Sequence, residues 1–305
     1  MVHGVINVRK EKGMTSFSVV ARCRRIFKQK KIGHTGTLDP DAEGVLVVCL
    51  GKGTKLVDQL SHGTKTYEAV LLLGRTTDTQ DTSGTILCEQ EVNVTPEEAE
   101  TAVLSFEGPQ MQVPPMYSAL KVDGKKLVDL ARRGIEVDRK AREVTFADIE
   151  ILETDLPRIR FRVTCSKGAY IRTLCEDIGK KLGCGGCMES LLRTRTGQFG
   201  IAEAQTLDEI SCKVETGDLS FVIPIDTFFK EYPMIRVPEY LDTDIRNGNR
   251  FELRGHGDIP NRQVRIYLSD GAFAGIYKKS GKRFSLEKHF YTGDMEEGAS
   301  LSQDH

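Results

Sequence analysis

Between residues 16 and 31 the apolar positions Val19, Val20, Cys23, Ile26 and Phe27 recur at helical spacing, with arginines and lysines on the opposite side. This predicts an amphipathic helix capped by Thr15 or Ser16. Residues 67–73 form an apolar run that ends at Gly74 and reads as a buried strand. The Thr95-Pro96-Glu97-Glu98 stretch joins a cap, a first-turn proline and acids placed against the helix dipole, so a helix should start there and run to about Gly108. Alternating patterns over 143–152 and 158–165 predict two strands. At 170–182, Ile171, Leu174, Cys175, Ile178 and Leu182 share one helical face.

Strands followed by helices without a strict βαβ rhythm point to an α+β fold. At 305 residues the chain exceeds the usual size of one hydrophobic core, so a large domain over about 1–230 and a smaller one over about 233–290 are expected. The smaller one reads as β: short strands at 263–268 and 272–277 flank the Ser269-Asp270-Gly271 turn. The tail 293–305 is polar, acidic and expected to be disordered.

Composition changes this picture little. The chain is 39% hydrophobic and 29% charged, ordinary for a globular protein. No apolar run approaches the roughly 20 residues that span a bilayer, and the start MVHGVINVRK lacks a signal-peptide core. A cytoplasmic protein without membrane contact is expected. The eight cysteines lack the spacing of a secreted disulfide scaffold, and Cys184-Gly-Gly-Cys187 has no second pair to complete a zinc site, so it reads as a glycine-rich turn.

The net charge of −1 hides a gradient: residues 1–65 carry twelve Lys/Arg and five acids, and residues 109–142 carry eight and four. Clustered cations are what contact with a phosphate backbone needs, although such a run also suits a solvated face. The stretch 109–142, with Pro114-Pro115 and Tyr117, is a basic excursion of a kind that more often serves function than packing.

Chemistry concentrates in 33–46, GHTGTLDPDAEGVL. Glycines there allow close backbone approach, and Pro40 stiffens the chain after Asp39, which suits a rigidly presented carboxylate. Spacing alone leaves a plain turn open. The segment closely resembles the signature of the TruB family of pseudouridine synthases. The resemblance continues in register through Gly13-Met14-Thr15-Ser16, Lys65-Thr66-Tyr67, Gly74-Arg75-Thr76-Thr77-Asp78-Thr79, the block from Pro114 to Lys121, the block from Cys165 to Thr173, and Leu191-Leu192-Arg193-Thr194.

This resemblance implies a pseudouridine synthase fold with a mixed, mainly antiparallel central sheet flanked by helices, and a PUA-like C-terminal β domain. It implies isomerisation of uridine to pseudouridine at position 55 in the T arm of tRNA, with no cofactor or metal, by a monomer that needs no guide RNA. Asp39 aligns with the family's catalytic aspartate, which attacks C1′ or C6 or assists loss of the C1′/C2′ protons. Arg172 aligns with the arginine paired to it, though its setting also suits a snorkelling surface residue. Tyr67 aligns with the tyrosine that stacks on the base and is implicated in removing the C5 proton, although a lone tyrosine opening a strand is more often a core residue, and Leu191 aligns with an apolar residue against the base. His34 aligns with the histidine that fills the stack after the base flips, and a histidine satisfied within the turn is the bland alternative. Gly36 belongs to the same loop. Residues 109–142 correspond to the RNA-contacting insertion, with Lys121, Lys125, Lys126, Arg132, Arg133 and Arg142 as candidate phosphate contacts.

Three positions depart from the family pattern: Glu11 follows Lys10 where proline is usual, Val128 replaces a tyrosine, and Ala169 a threonine. None is a catalytic group. Two other readings remain, a guide-RNA-dependent synthase subunit of the box H/ACA type and a tRNA-folding chaperone.

Overall fold

The structure, a computed structural model, describes residues 1–255 and 262–293. The chain opens with β1 (Gly4–Lys10), α1 (Ser16–Ile26), β2 (Ile32–His34), β3 (Glu43–Leu50), α2 (Val57–Ser61) and β4 (Lys65–Leu73), then a small hairpin of β5 (Arg75–Thr77) and β6 (Ile86–Glu89). Next come α3 (Pro96–Leu104), β7 (Gly108–Gln112), a second hairpin of β8 (Lys121–Val122) and β9 (Lys125–Lys126), α4 (Leu127–Ala131), β10 (Arg142–Asp155) and β11 (Arg158–Cys165). They are followed by α5 (Ile171–Leu182), β12 (Gly186–Thr196), β13 (Phe199–Gly200) and α6 (Leu207–Glu215). The remainder is β14 (Met234–Arg236), α7 (Asp242–Arg246), β15 (Phe251–Glu252), β16 (Gln263–Tyr267), β17 (Phe273–Ser280) and β18 (Arg283–His289).

Nine strands build the main sheet in the order β1-β3-β12-β4-β11-β10-β7, with β2 beside β3 and β13 beside β12. Only β3 and β12 run parallel, so the sheet is mixed and mainly antiparallel, as the α+β reading anticipates. Side-chain alternation sorts its two faces. On β1 and β3, Ile6, Val8, Leu46 and Val48 meet Val19, Val20 and Cys23 of α1 and Leu207 and Ile210 of α6. Their neighbours Val5, Val45, Val47 and Cys49 face the other way, toward Phe229, Ile276 and Phe290. Further along, Leu71, Phe146 and Phe161 pack beneath Ala99 and Val103 of α3 and Leu174 and Ile178 of α5. Burying each of the Val, Leu, Ile and Phe side chains among them is worth about 1.5–3 kcal/mol.

The helix starts follow local chemistry. Thr95 and Glu98 form the expected reciprocal cap of α3, with Pro96 at its first position. Two helices stop short of expectation. The apolar spacing extends α1 to residue 31, yet Phe27 caps it and Lys28 turns left-handed at φ 50°. Gln29 is diverted to pair with the Val2 backbone through bonds of 2.8 and 3.0 Å. Similarly, α3 ends at Leu104 because Gly108 already pairs with Phe146 as the start of β7. Residues 109–112, assigned above to the insertion, are thus part of the sheet edge, and the excursion proper is the β8–β9 hairpin and α4.

A second sheet, β14-β16-β17-β18-β15, follows. The sequence indicates β16 and β17; β14, β15 and β18 are too short or too polar to stand out. Among the described residues no helix is long and apolar enough to cross a membrane. The tail assigned to 293–305 lies, after Gly293, outside the described residues.

Candidate active site

The segment 35–42 leaves the sheet where β3 lacks a full neighbour. Opposite β1, β3 pairs with β12 only through Leu192↔Glu43 and Arg193↔Gly44, and with β2 only through 32–34 opposite 48–50. Between these stretches the β3 backbone is open, and the loop arches over it. Several bonds hold it there. Thr35 N–H donates to Val47 O at 3.1 Å and Gly13 N–H to Pro40 O at 3.0 Å. Ser16 Oγ accepts from Leu38 N–H at 2.9 Å and donates to Leu38 O at 3.1 Å. The fully buried Lys10 ammonium donates to Glu11 O at 3.0 Å, Pro40 O at 2.9 Å and Ala42 O at 2.5 Å. From the other side, Arg193 donates to Val45 O at 2.8 Å, Gly36 O at 3.1 Å and Thr37 O at 3.4 Å. The backbone on both sides of Asp39 is therefore fixed, and its side chain stays 40% exposed.

Arg172 reaches Asp39 from the first turn of α5. Its Nε lies 2.9 Å from Asp39 Oδ2 and its Nη2 3.3 Å from Oδ1, a side-on, two-point pairing of the strong kind. The guanidinium is almost fully buried, and its other donors meet Thr79 O at 2.9 Å and Tyr117 O at 2.8 Å. Asp81 Oδ2 lies 3.8 Å from the same Nε. The snorkelling alternative is thereby set aside: this arginine points inward, toward a carboxylate.

Helix α5 is seated by a close approach. A Cβ on Gly179 would stand 2.2 Å from the Gly186 nitrogen, so only glycine lets the helix pack on the start of β12. Cys184-Gly-Gly-Cys187 makes this turn, with both thiols free and buried.

Asp39, Tyr67, Tyr170, Arg172, Leu191 and Arg193 line one cavity of about 380 Å³ that also includes Gly36. Its floor follows from strand register, with Arg193 opposite Tyr67 and Leu191 opposite Ala69 across β12 and β4. Burial pushes the Tyr67 phenol up, opposed by the Arg193 cation, so Tyr67 is a neutral ring at physiological pH. Burial likewise raises Tyr170.

The other sequence candidates lie elsewhere. His34, on β2, does not line the cavity; it is half-buried, with Nδ1 lacking a hydrogen-bond partner among the described residues. Burial, reinforced by Arg193, lowers its pKa. Lys121, Lys125, Lys126, Arg132, Arg133 and Arg142 are exposed. Lys121, Lys125, Lys126 and Arg133 border a shallow depression on the excursion, while its leading residues Ser118, Ala119 and Leu120 reach the cavity.

Four participants escape the sequence reading: Lys10, Asp81, Tyr170 and Arg193. Two carried a signal. Lys10 shares the inward alternation of Ile6 and Val8, and Arg193 that of Leu191, where a cation is out of place unless buried for a purpose. Tyr170 lies within the Cys165–Thr173 block but has no role assigned from it, and Asp81, among turn-forming residues, gave no signal. Among the described residues no group of three or more His, Cys, Asp or Glu is arranged to hold a metal ion.

Residues 24–171 match the family model described as "TruB family pseudouridylate synthase (N terminal domain)" and residues 172–229 the one described as "tRNA pseudouridylate synthase B C-terminal domain". A protein of Clostridium novyi named "tRNA pseudouridine synthase B" is 46% identical over 291 residues, covering 94% of this chain and 99% of its own length. One of Clostridium kluyveri with the same name is 42% identical over 289 residues, covering 94% and 99%. Among solved structures, the chain resembles one described as "Crystal structure of the archaeal box H/ACA sRNP Nop10-Cbf5 complex" with a TM-score of 0.65 and 26% identity, over 96% of this chain and 87% of that one. With relatives this similar along nearly the whole length, the chain belongs to the TruB family of pseudouridylate synthases.

Proposed function

We propose that this protein converts uridine to pseudouridine at position 55 in the T arm of tRNA, as a monomer without a guide RNA. The observation that carries the reading is the Asp39 carboxylate, held side-on by Arg172 at a cavity of about 380 Å³ with a buried aromatic ring on its floor. That size falls at the small end of the usual 300–1,000 Å³ range for ligand sites, and suits one extruded nucleoside better than a duplex.

The steps combine this geometry with the roles that the family resemblance implies. A uridine stacked in an RNA loop cannot reach Asp39, so it must flip out at a cost of a few kcal/mol. The Tyr67 face and Leu191 repay part of this, since stacking on an aromatic ring is worth about 1–3 kcal/mol per base. His34 lies on the strand leading into the catalytic loop, where its lowered pKa leaves a neutral, weakly hydrated ring suited to occupying the vacated stack. The C1′–N1 bond then breaks, the uracil turns and C5 joins C1′, after which C5 gives up its proton to solvent and N1 takes one up, so that the product is an isomer of the substrate. Asp39 serves attack at C1′, attack at C6 or removal of a sugar proton, and Arg172 supports the carboxylate in each route. As a neutral phenol, Tyr67 acts first as a stacking surface; it must lose its own proton before it could accept one from C5.

The exposed cations of the excursion would grip phosphates around the flipped base, and the sheet over about 233–290 would serve as a PUA-like module alongside a catalytic part over about 1–230. The relatives at 42% and 46% identity carry tRNA in their names, while the H/ACA structure stands at 26%, which favours tRNA over a guide-dependent role. The test uses the purified protein and unmodified tRNA transcript, reading pseudouridine by tritium release from 5-labelled uridine. Modification at position 55, lost when that base is replaced by cytidine, is expected. Product appearing only after guide RNA and partner proteins are added would overturn the reading.

A further inference from the structure

Arg193 ties the loop to the sheet but has no part in the catalytic scheme. Arg193 is 2% exposed, and among the described residues no carboxylate pairs with it. An arginine is seldom buried without a carboxylate partner, and an uncompensated buried charge does not favour stability. What it does hold is three backbone carbonyls at the root of the Asp39 loop.

Its placement follows from the sheet. The chains cross closely here: a Cβ on Gly44 would stand 2.2 Å from the Arg193 carbonyl oxygen, so glycine lets β3 and β12 meet over the short stretch where they pair. Beyond it they diverge, leaving the open stretch of β3 beneath the loop. The guanidinium fills that gap as a substitute for a missing strand. Nε takes the carbonyl of Val45 on β3, while Nη2 and Nη1 take those of Gly36 and Thr37, the residues third and second before Asp39. Across the β12–β4 ladder its register partner is Tyr67, whose acidity it raises against burial. One rigid plane therefore touches the supports of both the carboxylate and the base-stacking ring. A lysine has the charge, but its three donors radiate from one nitrogen and cannot span the carbonyls that the wider, planar guanidinium reaches.

We propose that Arg193 is a positioning residue of the synthase reaction, setting the height of Asp39 over the base and its alignment with Tyr67 by tying the catalytic loop to β3. The inference rests on the roles given above to Asp39 and Tyr67. It differs from the part played by Arg172, which touches the carboxylate itself.

The test compares the parent with Arg193→Lys and Arg193→Met in single-turnover assays at saturating tRNA, alongside tRNA affinity and amide exchange. Because a displacement of about 1 Å can cost roughly 100-fold in rate, Arg193→Lys should lose on that order in the chemical step while tRNA affinity stays within about threefold. Exchange should rise in 35–42 but not along the β12–β4 ladder. Near-parental turnover in Arg193→Lys would overturn the proposal. So would a loss confined to tRNA affinity, or exchange rising equally through β12 and β4, which would mark a purely structural arginine. If Arg193→Met does not fold, Arg193→Lys still decides. Parent protein that leaves position 55 unmodified would refute the functional reading instead, and the exchange pattern would still report on the loop.

Discussion

Asp39 and Lys10 show how two charged residues in one small volume play opposite parts. Asp39 is offered to the cavity, so Asp39→Asn should cut pseudouridine formation by on the order of 10⁴-fold, the upper end for losing a catalytic group, while tRNA affinity, measured by filter binding, stays close to parental. Near-normal turnover would remove Asp39 from the mechanism. Lys10 is hidden beneath the loop, and burial lowers its pKa from 10.5 to about 8, only partly offset by Asp41, Glu43 and Asp39. The folded state thus holds this proton less tightly than the unfolded chain does. Below about pH 8 the ammonium is charged in both states and its burial cost is fully present; between about 8 and 10.5 the unfolded chain holds more protons and this contribution to stability rises with pH. Urea unfolding at pH 7 and 9.5 should show the parent gaining on Lys10→Met over that interval. A constant difference would mean that Lys10 titrates normally. The Asp39 motif was legible in sequence because it is local, whereas the partner Arg172 lies 133 residues away and only the family resemblance pointed to it.

Strand and helix identities were mostly readable because alternation and 3.6-residue spacing are themselves consequences of burial on one face. The β10–β11 hairpin and the capped start of α3 needed nothing more. Ends were less readable: α1 stops at Ile26 because Gln29 is recruited by Val2, a contact between residues 27 apart that no local window contains. The β8–β9 hairpin carries three exposed lysines, and none of Lys121, Lys125 or Lys126 is paired with a carboxylate among the described residues. Replacing Lys125 and Lys126 together with alanine should weaken tRNA binding and reduce the slope of log affinity against log salt by about 1.5–2, as two lost phosphate contacts require. An unchanged slope would place the hairpin away from the phosphates.

At the level of the whole molecule the two sheets are joined by a shared apolar seam. Phe290 is 2% exposed and packs on Phe229 and Phe273, with both ring-centroid distances 5.7 Å, within the cluster that contains Val5, Val45 and Val47 of the main sheet. Phe290→Ala should cost about 3–5 kcal/mol and split a single unfolding transition into two, read by calorimetry; one unbroken transition at the parental temperature would show that the seam carries no coupling. The amino-acid sequence by itself determined the α+β class, most of the elements, the aspartate loop and the family, because each depends on short-range pattern or on a signature of residue types. Only the tertiary structure decided that Arg172 faces inward, that Lys10 and Arg193 grip the loop, and that His34 stands outside the cavity. Those outcomes depend on where β12 meets β3 and parts from it, and the register of strands distant in sequence is set by the packing of the whole sheet.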